Sequence, residues 1–309
     1  MTQAIDVSGV QHVLRADGYE AVVASVGATL RSLTFEGRDL VVPFASDEVR
    51  PVYRGTTLAP WPNRVVDGRY AFDGVEHRLA LTEPARGHAL HGLLAWADFA
   101  VLDEGPAHVV LAATIQPQEG YPWRVTVTTA FALDENGLTQ TVSASNASAA
   151  RAPFGTGPHP YLVAGPGVVD DWTLLLPADA VLHVTHDRLA PTHVGRVSDD
   201  AERFDFRESR RIGPVEIDHA YTGLSRDTAG VASARLVSDA GTGVSLSWDG
   251  RCPWVQIHTA DRPGEPGHRA GLAVEPMTCP PDAFNSGADL VVLEPRETVD
   301  VASWTIAAV

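Results

Sequence analysis

With 309 residues, 44% of them hydrophobic and 20% charged, the chain has the composition of an ordinary folded protein with enough apolar material for a core. Acidic residues outnumber basic ones by 39 to 23; a formal charge of −16 repels phosphate backbones and anionic lipid, so nucleic acid and membrane surfaces are excluded as general partners. All the basic side chains are arginine, which closes off chemistry through a lysine Schiff base or a P-loop lysine.

The N-terminal stretch "MTQAIDVSGVQHVLRADGYEAVV" has neither a basic start nor a long apolar run, and no segment approaches the ~18 apolar residues of a membrane span. The expectation is a cytoplasmic protein without a leader. Further on, "TLAPWPNRVVDGRYAFDG" (57–74) places Asn63 and Arg64 between a proline-rich turn and a strand. An arginine offers five donors in a fixed fork, which suits sugar hydroxyls or a carboxylate, though a loop arginine on the surface reads the same way. In "YAFDGVEHRLAL" (70–81), alternating residues flank Asp73-Gly74, the signature of a hairpin. The next motif, "GHALHGLLAWADF" (87–99), carries His88 and His91 three apart, without the spacing or the acidic and sulfur neighbours of a metal site. Trp96 in this stretch is either a stacking platform for a sugar face or part of the core.

Strands follow at "RVTVTTAFAL" (124–133) and "LTQTVSAS" (138–145), joined at Asp134-Glu135-Asn136-Gly137. The stretch "GTGPHPYLVAG" (155–165) then sets His159 between two prolines. Proline fixes its own φ and drives the preceding residue toward extended backbone, so His159 is held outside a helix. A stiffly held imidazole fits a residue that moves a proton near neutral pH, or a structural histidine. Arg210-Arg211 is an adjacent arginine pair, read as a surface turn. In "EIDHAYTGL" (216–224), Asp218 stands at a strand-like position, able to accept hydroxyl hydrogen bonds or to cap a turn. After the strands "GVSLSW" (243–248) and "WVQIHTA" (254–260) comes "GLAVEPMTCPPDAFNSG" (271–287), where Glu275 closes an apolar run. An acid at the end of a buried strand is costly unless paired or used, and burial raises its pKa toward the range of a general base. Cys252 and Cys279 form no C-x-x-C pair and are read as buried free thiols, with neither a disulfide framework nor a zinc site.

Short alternating strands with turns throughout, and almost no 3.6-residue period, predict one all-β domain over residues 1–309 with few, short helices. In order, the motifs L-x-P-x-x-N-R (58–64), L-H-G (90–92), H-x-Y (159–161), Asp218 with Tyr221, and Glu275 with P-D-A-x-N (281–285) resemble the aldose 1-epimerases, or galactose mutarotases, from about residue 27 to the C-terminus. The resemblance implies a large twisted antiparallel β-sandwich and interconversion of the α and β anomers of a free monosaccharide. By position it implies Glu275 as general base and protonated His159 as general acid, with Arg64, His91 and Asp218 on the sugar; Asn63, Trp96 and Tyr161 are further candidates for substrate contact. No metal, nucleotide or redox cofactor is required. Pro158 and Leu162-Val163-Ala164 depart from the residues usual around the histidine of galactose-active members, as do Leu93 and Pro276-Met277 elsewhere. These departures resemble a divergent branch, some members of which are associated with sulfoquinovose and other uncommon aldoses. Three other readings stand beside it: a glycoside hydrolase using Asp218 and Glu275, a hexose-6-phosphate epimerase, and a sugar sensor without turnover.

Overall fold

The computed structural model describes residues 6–309; the N-terminal reading begins in residues 1–5, which lie outside them. The largest sheet has nine antiparallel strands, built around the long hairpin Val125–Asp134 and Gly137–Asn146. Its turn is the predicted one, closing with Asp134 opposite Gly137. Along Val125–Asp134 the alternate residues Val125, Val127, Phe131 and Leu133 are buried, as a strand with one face on the core requires. The C-terminal strand Thr298–Ala308 pairs with Gly137–Asn146 on one side and with Gly243–Trp248 on the other, which sets Trp304 opposite Trp248. Both indoles are buried and satisfied: Trp304 donates to Gln140 Oε1 at 3.1 Å and Trp248 to the Cys252 carbonyl at 3.1 Å.

A six-stranded sheet in the order Tyr161–Leu162, Leu272–Met277, Trp254–His258, Asp218–Leu224, Ala178–Val184 and Pro191–Arg196 carries most of the chemistry described below. All six residues of Leu272–Met277 are buried, so this strand is covered on both faces and shows no alternation. A contiguous apolar core runs from the N-terminal sheet (Gln11–Ala16, Tyr19–Ala24, Thr29–Phe35, Arg38–Asp39) through both larger sheets. Each large aliphatic or aromatic side chain in it contributes roughly 1.5–3 kcal/mol by leaving water.

The expected Asp73-Gly74 hairpin forms between Arg69–Phe72 and Val75–Arg78, with both turn residues at positive φ (49° and 79°) as a two-residue turn of this twist demands. The only α-helices among the described residues are two of four residues each, Ala201–Phe204 and Ala283–Ser286. No helix among those residues is long and apolar enough to cross a membrane. Arg210–Arg211 is a short edge strand of the nine-stranded sheet rather than a surface turn, and Arg211 pairs with Asp171 and Asp239. The fold is the antiparallel β architecture read from the sequence.

Candidate active site

Two short stretches bring the first candidates together. Arg64–Val66 pairs with His88–Leu90, and the residues just outside this ladder, Asn63 and His91, take φ of 55° and 61°. The left-handed region is uncommon for such side chains, and strain of this kind collects at functional positions. The conformation is locked by the His91 N–H donating to the Asn63 carbonyl at 2.8 Å. Gly92 follows at φ 74°, and a Cβ there would stand 2.1 Å from the Ala59 carbonyl oxygen, so only glycine lets the two segments approach.

His159 lies between the two-residue strands Gly157–Pro158 and Tyr161–Leu162, outside any helix. Its flanking prolines have no N–H, and its own backbone is clamped on both sides. The His159 N–H donates to the Thr56 carbonyl at 3.1 Å, and its carbonyl accepts from the Gly55 N–H at 2.8 Å. Tyr161 stacks nearly parallel to the imidazole, centroids 5.1 Å apart, and His91 meets it edge-on at 5.1 Å.

Glu275 is 2% exposed and sits inside Leu272–Met277; the strand continues two residues past it rather than closing there. Its Oε1 is 3.5 Å from His159 Nε2, while Oε2 and the Nδ1 atoms of His159 and His91 are buried without a partner among the described residues. Buried polar atoms are normally satisfied, so this cluster of orphans marks the place a polar ligand occupies. The orphans lie on a cleft of about 600 Å³.

Burial, reinforced by Asp218, pushes the Glu275 carboxyl well above the usual carboxylate range, with Arg64 opposing. Burial, with His258 adding to it, lowers His159 to about 3. Burial also drives His91 well below its ordinary value, helped by His159 and Arg64. In the unliganded site these shifts favour the neutral forms, a proton on Glu275 and none on His159 or His91.

Arg64 remains a cation: burial alone would lower it, but a bidentate grip by Glu83 (2.8 and 3.0 Å) and the nearby Asp218 outweigh that. Glu83 also receives Arg86 at 2.9 Å, so the fork of Arg64 is aimed by a carboxylate, and its Nη1 reaches Asn63 Oδ1 at 3.3 Å. On the opposite side, Asp218 accepts from Gln256 Nε2 at 2.6 Å and lies 4.0 Å from His258 Nδ1. Burial would raise Asp218, yet His258, Arg64 and Gln256 hold it below its normal value.

The fold thus gathers Asn63, Arg64, His91, His159, Tyr161, Asp218 and Glu275 on one cleft. Trp96 is not among them: it is 55% exposed, neither core nor cleft wall, and packs beneath the Arg50 guanidinium (4.4 Å) and beside Tyr53. Cys252 and Cys279 are free and buried as expected, and burial raises both thiols, so neither is a reactive nucleophile. His88 is buried structural scaffold, its ring nitrogens engaged with the Asp67 N–H and the Arg188 carbonyl. Sequence reading missed Gln256 and His258, although their signal was present: they alternate with apolar residues along Trp254–His258, and Gln256 stands directly opposite Glu275. It also missed Glu83 and Arg86, for which no pattern pointed to Arg64.

The sequence model of the aldose 1-epimerase family matches residues 11–303. A protein of Escherichia coli K12 called uncharacterized protein YihR is 35% identical over 288 residues, spanning 93% of this chain and 90% of that one. The galactose mutarotase of Bos taurus is 25% identical over 326 residues, 94% and 92% of the two chains. Among solved structures, a GalM/aldose epimerase homologue from C. elegans superposes with a TM-score of 0.83 at 22% identity, covering 97% of this chain and 99% of its own.

Proposed function

The protein belongs to the aldose 1-epimerase family, and we propose that it is a mutarotase that interconverts the α and β anomers of a free aldose, with Glu275 and His159 as its acid and base. The observation that carries this reading is the pair itself: a buried carboxyl and imidazole 3.5 Å apart, each with an unpartnered atom on a cleft.

The reaction needs one proton on the pair. With the sugar bound, the Glu275 carboxylate takes the proton of the anomeric hydroxyl and the His159 imidazolium gives one to the ring oxygen. The O1–H bond breaks as the C1 carbonyl forms, and the electron pair of the C1–O5 bond leaves with the ring oxygen. Rotation about C1–C2 turns over the carbonyl face, and closure runs the transfers backward, so protons and electrons balance without oxidation. The working ion pair and the neutral resting pair differ only in where that one proton sits. One fixed charge favours the shift, since Arg64 stabilises the Glu275 carboxylate; Asp218 stabilises the His159 imidazolium but also repels that carboxylate, so it holds the proton on the pair rather than moving it. Arg64, His91 and Asp218, with Asn63 and Tyr161, supply the hydrogen-bonding and stacking surface for the ring.

Three arginines line the cleft against five carboxylic side chains. Arg64 and Arg86 are both engaged by Glu83, which disfavours a phosphate dianion and supports an unphosphorylated sugar.

The test is anomer exchange by NMR saturation transfer on glucose, galactose, fucose, rhamnose, xylose and sulfoquinovose. The wild type accelerates exchange of at least one sugar, and Glu275→Gln and His159→Asn each slow it by about 10²–10⁴-fold. Sugar binding without acceleration would make the protein a binding module instead.

A further inference from the structure

The proton chemistry leaves one orphan beside Asp218 without a role. His258 Nδ1 is buried and has no hydrogen-bond partner among the described residues. It stands 4.0 Å from Asp218 Oδ1, too far for a direct hydrogen bond. The six-stranded sheet sets the two side by side. One cross-strand row runs Tyr161, Ala273, His258, Asp218, and the next runs Glu275, Gln256, Ala220. Directly opposed residues share a face, as do residues two apart on a strand, so both rows look into the cleft. Asp218 lies two strands across from Glu275 and one row along, about 12 Å between backbones. A pyranose that presents C1 and its ring oxygen to Glu275 and His159 turns C3 and C4, the carbons across the ring, toward the gap between Asp218 and His258.

That gap fits one hydroxyl. An oxygen about 2.8 Å from both Oδ1 and Nδ1 sees them roughly 90° apart, close enough to the tetrahedral spread of a hydroxyl to bond both. The hydrogen-bonding roles are complementary. Burial works against it, but His258, Arg64 and Gln256 hold Asp218 ionised, so its carboxylate only accepts. A hydroxyl has one proton; having given it to Asp218, it can only accept from its other neighbour. His258 with its proton on Nδ1 is that donor. Gln256 Nε2 donates to Oδ1 at 2.6 Å, which fixes the carboxylate and leaves it further acceptor capacity. The imidazole is 25% exposed and Tyr161 meets it only edge-on, at 6.4 Å, so it has room to turn onto the oxygen.

We propose that His258 is a specificity-determining residue, whose Nδ1–H and the Asp218 carboxylate together read one hydroxyl, on C3 or C4 of the sugar. The proposal rests on the mutarotase reading for which end of the sugar reacts. A sugar without that hydroxyl leaves a donor and a carboxylate both unpaired, which is how sites built on hydrogen bonds reject deoxy analogues.

The test is anomer exchange of the fastest sugar among the six named above and of its 3-deoxy and 4-deoxy derivatives, by the wild type, His258→Leu and His258→Asn. Leucine and asparagine have the same shape, and only asparagine carries an N–H where Nδ1 stood. In the wild type, kcat/KM is expected to fall at least about 10-fold for one of the two deoxy sugars. His258→Leu is expected to shrink that ratio about 5-fold, and His258→Asn to hold it within about 2-fold of wild type. A wild type indifferent to both hydroxyls, a ratio unchanged in His258→Leu, or one lost equally in both variants would overturn the assignment. His258→Phe, which keeps the bulk of the ring without a donor, takes the place of His258→Leu if that variant does not fold. If no sugar exchanges, the mutarotase reading has failed. Dissociation constants for glucose, 3-deoxyglucose and 4-deoxyglucose, from saturation-transfer difference titrations, then decide the role of His258 by the same ratios.

Discussion

Asp218 acts on both members of the acid/base pair in the same direction. Its charge raises Glu275 and favours protonation of His159, so both effects tighten the hold on the one proton the reaction uses. The pH profile follows, its limbs belonging to the pair rather than to either residue. On the acid side activity falls when a second proton is added, which the depressed His159 resists until far below neutrality. On the basic side it falls when the last proton leaves, which the elevated Glu275 delays. In Asp218→Asn the repulsion on Glu275 and the attraction on protonated His159 vanish together, and both changes weaken proton binding. The basic limb of kcat is therefore expected to move toward acid, whatever the loss in affinity from a missing sugar contact. Normalised rates from anomer exchange across pH check this, and an unmoved basic limb would show that Asp218 does not tune the pair.

The elements that carry the site are tied down by arginines placed away from the sugar. Arg269 is 5% exposed; it meets Asp170 at 2.6 Å and Asp261, and it donates to the carbonyls of Gly213 (2.6 Å) and Val215 (3.2 Å). It thereby joins the 261–269 loop, which lines the cleft through Asp261 and Arg262, to the segment that leads into Asp218–Leu224. Arg269→Met leaves two carboxylates without their cation and four acceptors without their donor; because Asp170 is part exposed to solvent, the cost is held to about 1–3 kcal/mol. The expected kinetic signature is a raised KM with kcat changed less, since the acid/base pair sits on other elements; an unchanged KM beside the lost stability would limit Arg269 to a structural role. This clamp was invisible in the sequence, because its members at 170, 213–215, 261 and 269 are distant along the chain and none carries a motif. The strands were legible where one face is buried, as in Val125–Asp134, and the hairpin turns were legible because their residues require positive φ. Leu272–Met277 was read only up to Glu275, because a strand buried on both faces has no alternation to mark its end. The site was legible where backbone demands or costly burial left unusual residues, as at His159 and Glu275. At Gln256 and His258 the alternation marked a face of the strand without marking a function, and the site was illegible where a charge serves a partner remote in sequence, as Glu83 does for Arg64.

At the scale of the whole molecule, the cleft makes the fold sensitive to acid. His159 is held down to about 3, His219 to about 4, and His91 well below its ordinary value, in each case chiefly by burial. An unfolded chain takes up a proton at each of these positions near pH 6.5, while the folded chain refuses it until much lower pH. Stability therefore falls as the pH drops through 6.5 and goes on falling toward about pH 4. Glu275 works the other way, since the folded chain keeps a proton there that the unfolded chain sheds above the ordinary carboxylate range. Three histidines against one carboxyl leave a net difference of about two protons, or roughly 3 kcal/mol lost per pH unit once the unfolded histidines are charged. Urea unfolding at pH 7.0, 6.0 and 5.0 is expected to trace this loss. His159→Gln is expected to lessen the slope by up to about 1.4 kcal/mol per pH unit, because the unfolded state then has one proton fewer to gain. A flat profile in the wild type would mean that the imidazoles accept their protons inside the fold. The cleft would then be far better solvated than its burial indicates, and the proton shared by Glu275 and His159 would rest on the histidine instead.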